Sequence, residues 1–281
     1  MNVKQIDRAK FERDGFLLVK DVLTDAEVAL LRQKAYDVIA EDEQKGSMFM
    51  HNNAKNHLGC LTNIPEFKDL VLHQNIVKIA ETLLGNRPTF FGDGIFEIGK
   101  GNRGYHKDTS ERKTQNHPDW QEDFYPIVRI ALYLQDHKDH SGGLKVRVAS
   151  NRTVKTHVGR AYIIPSEARD AVAFSLRTTH AGNSVRLKPV PNMPIHPIFE
   201  KRTPEFIKRP EEKERVSFFL TYGLKSGALD RFMNFMFQHH VYKQRIERSE
   251  YPDWLVDEIT TKVDFLNIKS RYAEAQAEAA S

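Results

Sequence analysis

The run His106-Lys107-Asp108 carries two side chains able to act together. On an extended segment, residues i and i+2 point to one face, so an imidazole and a carboxylate converge there. A second imidazole is available at His180, just past the apolar run Ala171 to Leu176. Two histidines and one carboxylate form the facial ligand set of non-haem Fe(II) oxygenases, with coordination positions left open. His106, Asp108 and His180 are therefore the candidate metal ligands and catalytic residues. Further along, Arg215-Val216-Ser217 opens the apolar run Phe218 to Tyr222. Arg215 and Ser217 share a face by the same alternation. A guanidinium fork beside a hydroxyl suits the tail of a dicarboxylate.

These groups need a rigid frame, and the pattern along the chain supplies one. Phe11 to Val19 crosses Gly15 from a helical segment into a short apolar strand. Thr24-Asp25-Ala26-Glu27 is a capping box, and Val28, Leu31, Ala35 and Val38 follow at helical spacing to an end near Glu43. The polar stretch 46–63 predicts a loop over a site, and a second helix should run from Pro65 to Leu84, stopped by Gly85-Asn86. From Phe90 onward, short strands are expected at Ile95–Ile98, Ile127–Leu134, Leu144–Val148, Ala161–Ile164, Ala171–Leu176 and Val216–Tyr222. Turn clusters separate them, which suggests an antiparallel sandwich or barrel. Prolines 189, 191, 194, 197, 204 and 210 make that stretch an irregular insertion. After Gly227 a stripe of Leu229, Phe232, Met233, Met236 and Phe237 predicts helix, and the Ala/Glu-rich tail from Ala273 should fray. Helices, then strands, then helices make an α+β chain around one β core.

Composition narrows the class. The chain has 281 residues, 40% of them hydrophobic and 28% charged, which excludes a disordered or fibrous protein. One domain over 1–281 suffices, with a core at about 88–223, helices over 5–85 and a helical region over 227–281. The net charge of +4 comes from interleaved charges with no basic stripe, so a nucleic-acid partner is not expected. The single cysteine, Cys60, excludes an intrachain disulfide and a Cys-rich zinc site, and fits a reducing compartment. Met1 to Lys10 has four charged residues and no apolar stretch, and no run suits a spanning helix. A cytoplasmic protein with no membrane partner is expected.

The ordered set of motifs resembles the phytanoyl-CoA dioxygenase family of Fe(II)/2-oxoglutarate oxygenases over roughly residues 8 to 223. The matching pieces are Phe11-Glu12-Arg13-Asp14-Gly15-Phe16, the helix start at Leu23-Thr24, and Gly104-Tyr105-His106-Lys107-Asp108. They continue with Tyr133-Leu134, Gly142-Gly143-Leu144-Lys145-Val146, Asp170–Phe174 leading to His180, and Arg215 opening a strand. The resemblance implies a double-stranded β-helix, a cupin-like jelly roll with flanking helices. It also implies iron on His106, Asp108 and His180, and 2-oxoglutarate on Arg215 with Ser217. With O₂, 2-oxoglutarate would be decarboxylated to succinate and CO₂ while a small molecule is hydroxylated. Halogenases of the superfamily lack the carboxylate ligand, so Asp108 favours hydroxylation, with desaturation, epoxidation and epimerisation open to the same ligands.

The sequence departs from the family pattern in three places. Arg215 follows His180 by 35 residues, farther than in the family, and Arg186 is the alternative; the apolar strand after Arg215 favours Arg215. Val148-Ala149-Ser150-Asn151 replaces a Pro-Gly-Ser-His turn, and Ala168-Arg169-Asp170 replaces a Gly-Asp turn. Tyr105, Arg112, Arg129, Tyr133 and Arg147 flank the iron segment or lie on neighbouring strands and are substrate-pocket candidates. Several arginines there suit an anionic substrate.

Other signals carry less. Gly99-Lys100-Gly101-Asn102-Arg103-Gly104 matches a dinucleotide fingerprint, but no helical face follows it, so a turn is the better reading. His137 and His140 are expected in a solvated hairpin turn, and His239-His240 on a helix with diverging faces. A non-catalytic metal-binding jelly roll is the competing class, separated from the oxygenase by turnover of 2-oxoglutarate.

Overall fold

The computed structural model describes residues 6–51, 53–101 and 104–280. Outside it lie parts of four segments discussed above: residues 1–5 of the charged N-terminus, Asn52 of the polar stretch, Asn102 and Arg103 of the glycine-rich run, and Ser281 of the Ala/Glu-rich tail.

The first switch from helix to sheet turns on one glycine. Helix α1 (Arg8–Asp14) ends at Gly15, whose φ of 85° is left-handed, and strand β1 (Phe16–Val19) follows at once. A Cβ at Gly15 would also lie 2.6 Å from Thr178 Oγ1. Glycine answers both demands. Its carbonyl accepts from the Thr178 hydroxyl at 2.6 Å and from the Ser175 N–H at 3.0 Å, which fixes the turn leading into His180.

Helix α2 (Asp25–Gln44) starts with the reciprocal capping box of Thr24 and Glu27. The polar stretch after it, expected as a loop, instead forms strands β2 (Phe49–His51) and β3 (Ala54–Asn56), which extend the sheet edge. Alternation is too short there to signal a strand; pairing with a longer neighbour supplies the missing order. The expected single helix 65–84 is two, α3 (Pro65–Val71) and α4 (Gln74–Leu84). His73 breaks the run by capping α4, its ring accepting from the Asn75 N–H.

The strands that follow are β4 (Thr89–Gly99), then, after the short helix α5 (Pro118–Gln121), β5 (Ile127–Tyr133), β6 (Gly143–Arg147), β7 (Ala161–Ile163), β8 (Ala171–Ser175) and β9 (His180–Ser184). The Pro-rich insertion holds a short helix, α6 (Pro197–Glu200), before β10 (Val216–Gly223). The chain then forms α7 (Gly227–Gln238), α8 (His240–Arg248), α9 (Asp253–Lys262), β11 (Asp264–Phe265) and α10 (Ile268–Ala280). The Ala/Glu-rich end therefore continues α10 where fraying was expected. Among the described residues, no helix is long and apolar enough to cross a membrane.

The strands make two sheets. The larger runs β1-β8-β5-β10-β4-β3-β2, antiparallel throughout, with β11 parallel beside β4. The smaller runs β7-β6-β9, and a bridge between His106 and His180 adds the His106 segment to it. Leu144 and Val146 of the smaller sheet, with Ile164 just past β7, meet Ala131, Val172 and Phe174 of the larger. This is a double-stranded β-helix, a jelly roll of cupin type. On the outer face of the large sheet, Phe67 of α3 packs on Phe96 and Phe218, ring centroids 5.1 and 5.0 Å apart. Helices α7, α8 and α10 bury Phe232, Met236 and Ile246 with Phe91 and Leu176. Helix α3 stiffens the outer face of the sheet, while α7, α8 and α10 pack against one end of its inner face, which also carries polar groups.

Candidate metal centre

The backbone sets the two imidazoles side by side. His106 N–H donates to the His180 carbonyl at 3.0 Å and His180 N–H to the His106 carbonyl at 2.9 Å. The rings lie 4.3 Å apart between centroids. Two residues on, Asp108 turns its carboxylate to the same face, Oδ1 lying 3.5 Å from His106 Nε2 and Oδ2 3.5 Å from His180 Nε2. The potential ligand atoms all lie within 4.8 Å of one another. Donors on adjacent positions of an ion with ~2.1 Å bonds stand roughly 3 Å apart, so the three residues fit a small divalent cation.

The tautomers fit as well. His106 Nδ1 lies 2.8 Å from the Gly104 carbonyl and His180 Nδ1 3.0 Å from the Thr178 carbonyl. A carbonyl only accepts, so each Nδ1 carries the proton and each Nε2 keeps its lone pair for the metal. Lys107, between the ligands, points the opposite way. Its ammonium donates to the Ser150 and Arg177 carbonyls, and burial pushes its pKa down to about 7. Ser150 belongs to the turn that lacks the family's Pro-Gly, and Ala149 there is left-handed at φ 59°. The Ser150 hydroxyl still accepts from the Thr179 N–H at 2.8 Å and braces the His180 segment.

Asp108 is aimed by Arg129. From β5, Arg129 Nη1 donates to Asp108 Oδ2 at 2.6 Å, Nη2 to Asp93 Oδ2 at 2.7 Å and Nε to Thr221 Oγ1 at 3.0 Å. Burial disfavours the guanidinium charge, but Asp93 and Asp108 outweigh it and hold its pKa above the usual value. With one oxygen held by Arg129, Asp108 has a fixed orientation.

Beside the triad lies a cavity of about 80 Å³ walled by Ile95, Leu144 and Phe219 and reaching Arg215. Arg215 is 3% exposed, and its guanidinium lies over the Tyr133 ring at 5.3 Å. Tyr133 and Ser217 are directly opposite across β5 and β10. Arg215 Nε, Ser217 Oγ and Tyr133 Oη are buried with no hydrogen-bond partner. Buried polar atoms left unpaired are costly, and three together mark where a ligand's polar atoms belong. A carboxylate, acceptor at both oxygens, fits that donor set.

The other sequence candidates are distributed unevenly. Arg129 and Tyr133 line the cavity, though Arg129 is engaged with protein groups. Tyr105 and Arg147 lie outside its lining, the guanidinium 4.5 Å from the Tyr105 ring centroid, with His196 of the insertion edge-on to that ring. Arg112 donates to the Thr109 carbonyl and lies over Phe235 of α7. Arg186 is buried away from the cavity, donating to the carbonyls of His137 and Pro191 and tying down the insertion. His137, expected in solvent, is 1% exposed; burial first, then Arg215, pushes its pKa down to about 3. Asp93, Glu97 and Thr221 were missed. Their signal was alternation, since Asp93, Ile95 and Glu97 share one face of β4, and polar residues on the inner face of a buried strand call for partners.

Comparisons with known proteins bear on the family and the fold. A family model of phytanoyl-CoA dioxygenase matches residues 11–184. By sequence, no curated protein matches closely enough to count as a relative. Among solved structures, the chain is similar to the non-haem α-ketoglutarate-dependent carbocyclase SnoK from nogalamycin biosynthesis (TM-score 0.55, 15% identity, 82% of this chain and 91% of that one). It is similar to the epimerase SnoN from the same biosynthesis (0.54, 14%, 77% and 81%). It is also similar to EctD from S. alaskensis, solved with 2-oxoglutarate and 5-hydroxyectoine (0.52, 18%, 77% and 74%). These likenesses extend the jelly-roll fold to most of the chain, and the match across more than half its length is decisive: the chain belongs to the phytanoyl-CoA dioxygenase family of Fe(II)/2-oxoglutarate-dependent oxygenases.

Proposed function

We propose that the protein is an Fe(II)/2-oxoglutarate-dependent oxygenase that hydroxylates a small polar molecule. The observation that carries the reading is that the three-ligand cluster and Arg215 line one cavity, with Arg215 Nε and the neighbouring Ser217 hydroxyl buried and without a hydrogen-bond partner. His106, Asp108 and His180 would hold the iron; Arg215 and Ser217, with Tyr133, would hold the distal carboxylate of 2-oxoglutarate. When bound, iron and 2-oxoglutarate supply the activation of O₂, with succinate and CO₂ as products.

The chain's own part is orientation and exclusion. The Nδ1–H bonds to the Gly104 and Thr178 carbonyls fix both imidazole planes. Arg129 holds Asp108, and Arg215 sets how deep the co-substrate tail reaches. Ile95, Leu144 and Phe219 keep water from the space beside the ligands. The similar folds include an epimerase and a carbocyclase, so the ligand set alone does not choose the outcome. Retention of a carboxylate ligand at Asp108 is what favours hydroxylation over halogenation.

The test is anaerobic. Fe(II) followed by 2-oxoglutarate should give the visible metal-to-ligand charge-transfer band, and admitting O₂ should release succinate. A folded protein that binds Fe(II) but gives neither signal would be a non-catalytic metal-binding jelly roll.

A further inference from the structure

As the chain leaves β4, its glycine-rich run closes around Arg215. The Gly99 N–H donates to the Arg215 carbonyl at 2.8 Å, and the Gly99 carbonyl accepts from Arg215 Nη1 at 3.3 Å. Two residues on, a Cβ at Gly101 would come 3.2 Å from the same Nη1. In the smaller sheet, a Cβ at Gly182 of β9 would come 3.6 Å from Nη2. Both glycines line the cavity of about 80 Å³ that also holds the three metal-ligand candidates. Neither has a left-handed φ, so the demand for glycine at these positions is one of space and not of backbone conformation. The guanidinium itself is hemmed in, with Glu97 Oε2 at 3.6 Å from Nη1 and the Tyr133 ring at 5.3 Å.

Two bare positions beside one guanidinium, in so small a cavity, bear on what fits there. A methyl at 101 crowds Nη1 and takes room from this cavity, because Gly101 borders it and not the larger chamber of about 740 Å³ beyond Arg215. A methyl at 182 meets Nη2 at ordinary contact distance and takes room as well. A diacid held by the metal at one end and by Arg215 at the other has to match the span between them. One methylene in a fitted pocket is worth about 10–200-fold. We propose that Gly101 and Gly182 set the length of the diacid that Arg215 receives. Bare backbone beside both amino groups leaves room for a five-carbon 2-oxo diacid, and a side chain at either position favours a shorter one. The inference rests on the oxygenase reading and adds to it the residues that choose the co-substrate.

The experiment uses the whole chain with Fe(II), without O₂, and titrates two diacids by calorimetry: 2-oxoglutarate and its four-carbon homologue, freshly prepared oxaloacetate. The wild-type protein should bind 2-oxoglutarate about tenfold more tightly, the lower end of what one methylene decides. Gly101→Ala should weaken 2-oxoglutarate about tenfold and oxaloacetate by less than about twofold, so that the preference nearly vanishes. Gly182→Ala should act in the same direction by about threefold, and it carries the test if Gly101→Ala does not fold. Fe(II) affinity is measured in parallel with no diacid present. Equal losses for the two diacids, no loss of either, or loss of Fe(II) binding along with them overturn the inference while leaving the oxygenase reading in place. A wild-type protein that binds 2-oxoglutarate no more tightly than oxaloacetate does the same. Absence of 2-oxoglutarate binding in the wild type overturns both.

Discussion

Two polar clusters sit on the inner face of the large sheet, one on either side of the candidate metal ligands, and they are built in opposite ways. In the first, Arg129 donates to Asp93, Asp108 and Thr221. In the second, Arg215 Nε, Ser217 Oγ and Tyr133 Oη have no partner, and Glu97 stands at 3.6 Å. Both clusters are buried on strands β4, β5 and β10. Burial alone therefore does not separate structural from binding polar groups; satisfaction does. A saturated cluster orients what it touches, and an unsaturated one is complete only when a ligand arrives.

The sharpest break of the contrast removes what lies between the clusters. His106→Ala should abolish Fe(II) binding and the charge-transfer band with the fold retained, checked by metal analysis and circular dichroism. Next, Arg129→Leu should cost about 3–5 kcal/mol of stability, because it strands two buried carboxylates. Denaturant unfolding at pH 7 reads that loss; a variant as stable as wild type would show the first cluster to be dispensable. Arg215→Ala should do the reverse. It should weaken 2-oxoglutarate by about 3 kcal/mol, roughly a hundredfold, with a much smaller change in unfolding. Ser217→Ala, which removes a hydroxyl with no partner in the protein, should cost about 1 kcal/mol of co-substrate affinity and little stability. If Arg186→Ala weakens 2-oxoglutarate in place of Arg215→Ala, the second cluster is misassigned.

A smaller effect concerns the wall behind Tyr133. His137 packs edge-on to that ring, 5.4 Å between centroids, and its pKa is pushed from 6.5 to about 3. The unfolded chain therefore takes up this proton first. The contribution is complete above pH 6.5 and is lost as pH falls toward 3, at up to about 1.4 kcal/mol per unit. In His137→Gln the stability-versus-pH curve should be shallower through that window. An unchanged slope would show that another group controls acid unfolding.

Much of this was legible in the chain. His106-x-Asp108 needs only the two-residue alternation of an extended segment, and the capping box at Thr24 needs only a helix start. The strands 127–133, 171–175 and 216–223 were visible because buried strands are apolar along their length. Strand β9, His-Ala-Gly-Asn-Ser, was not. Its polar residues become strand only because β6 and the His106 segment pair with its backbone. The β2–β3 hairpin escaped for the same reason, since it takes its order from β4, while the break at His73 is a local cap by an imidazole.

Sequence by itself pointed to the residues proposed to carry the chemistry: the ligand types, their spacing, and Arg215 with Ser217 on one face of an extended segment. These are local properties of backbone periodicity. Only the tertiary structure decided which polar groups are saturated, that Arg129 serves Asp108, that Arg186 ties down the insertion, and that Glu97 shares the cavity with Arg215. Those outcomes depend on register between strands far apart in the chain, and a one-residue slip would turn each of these side chains to the other face.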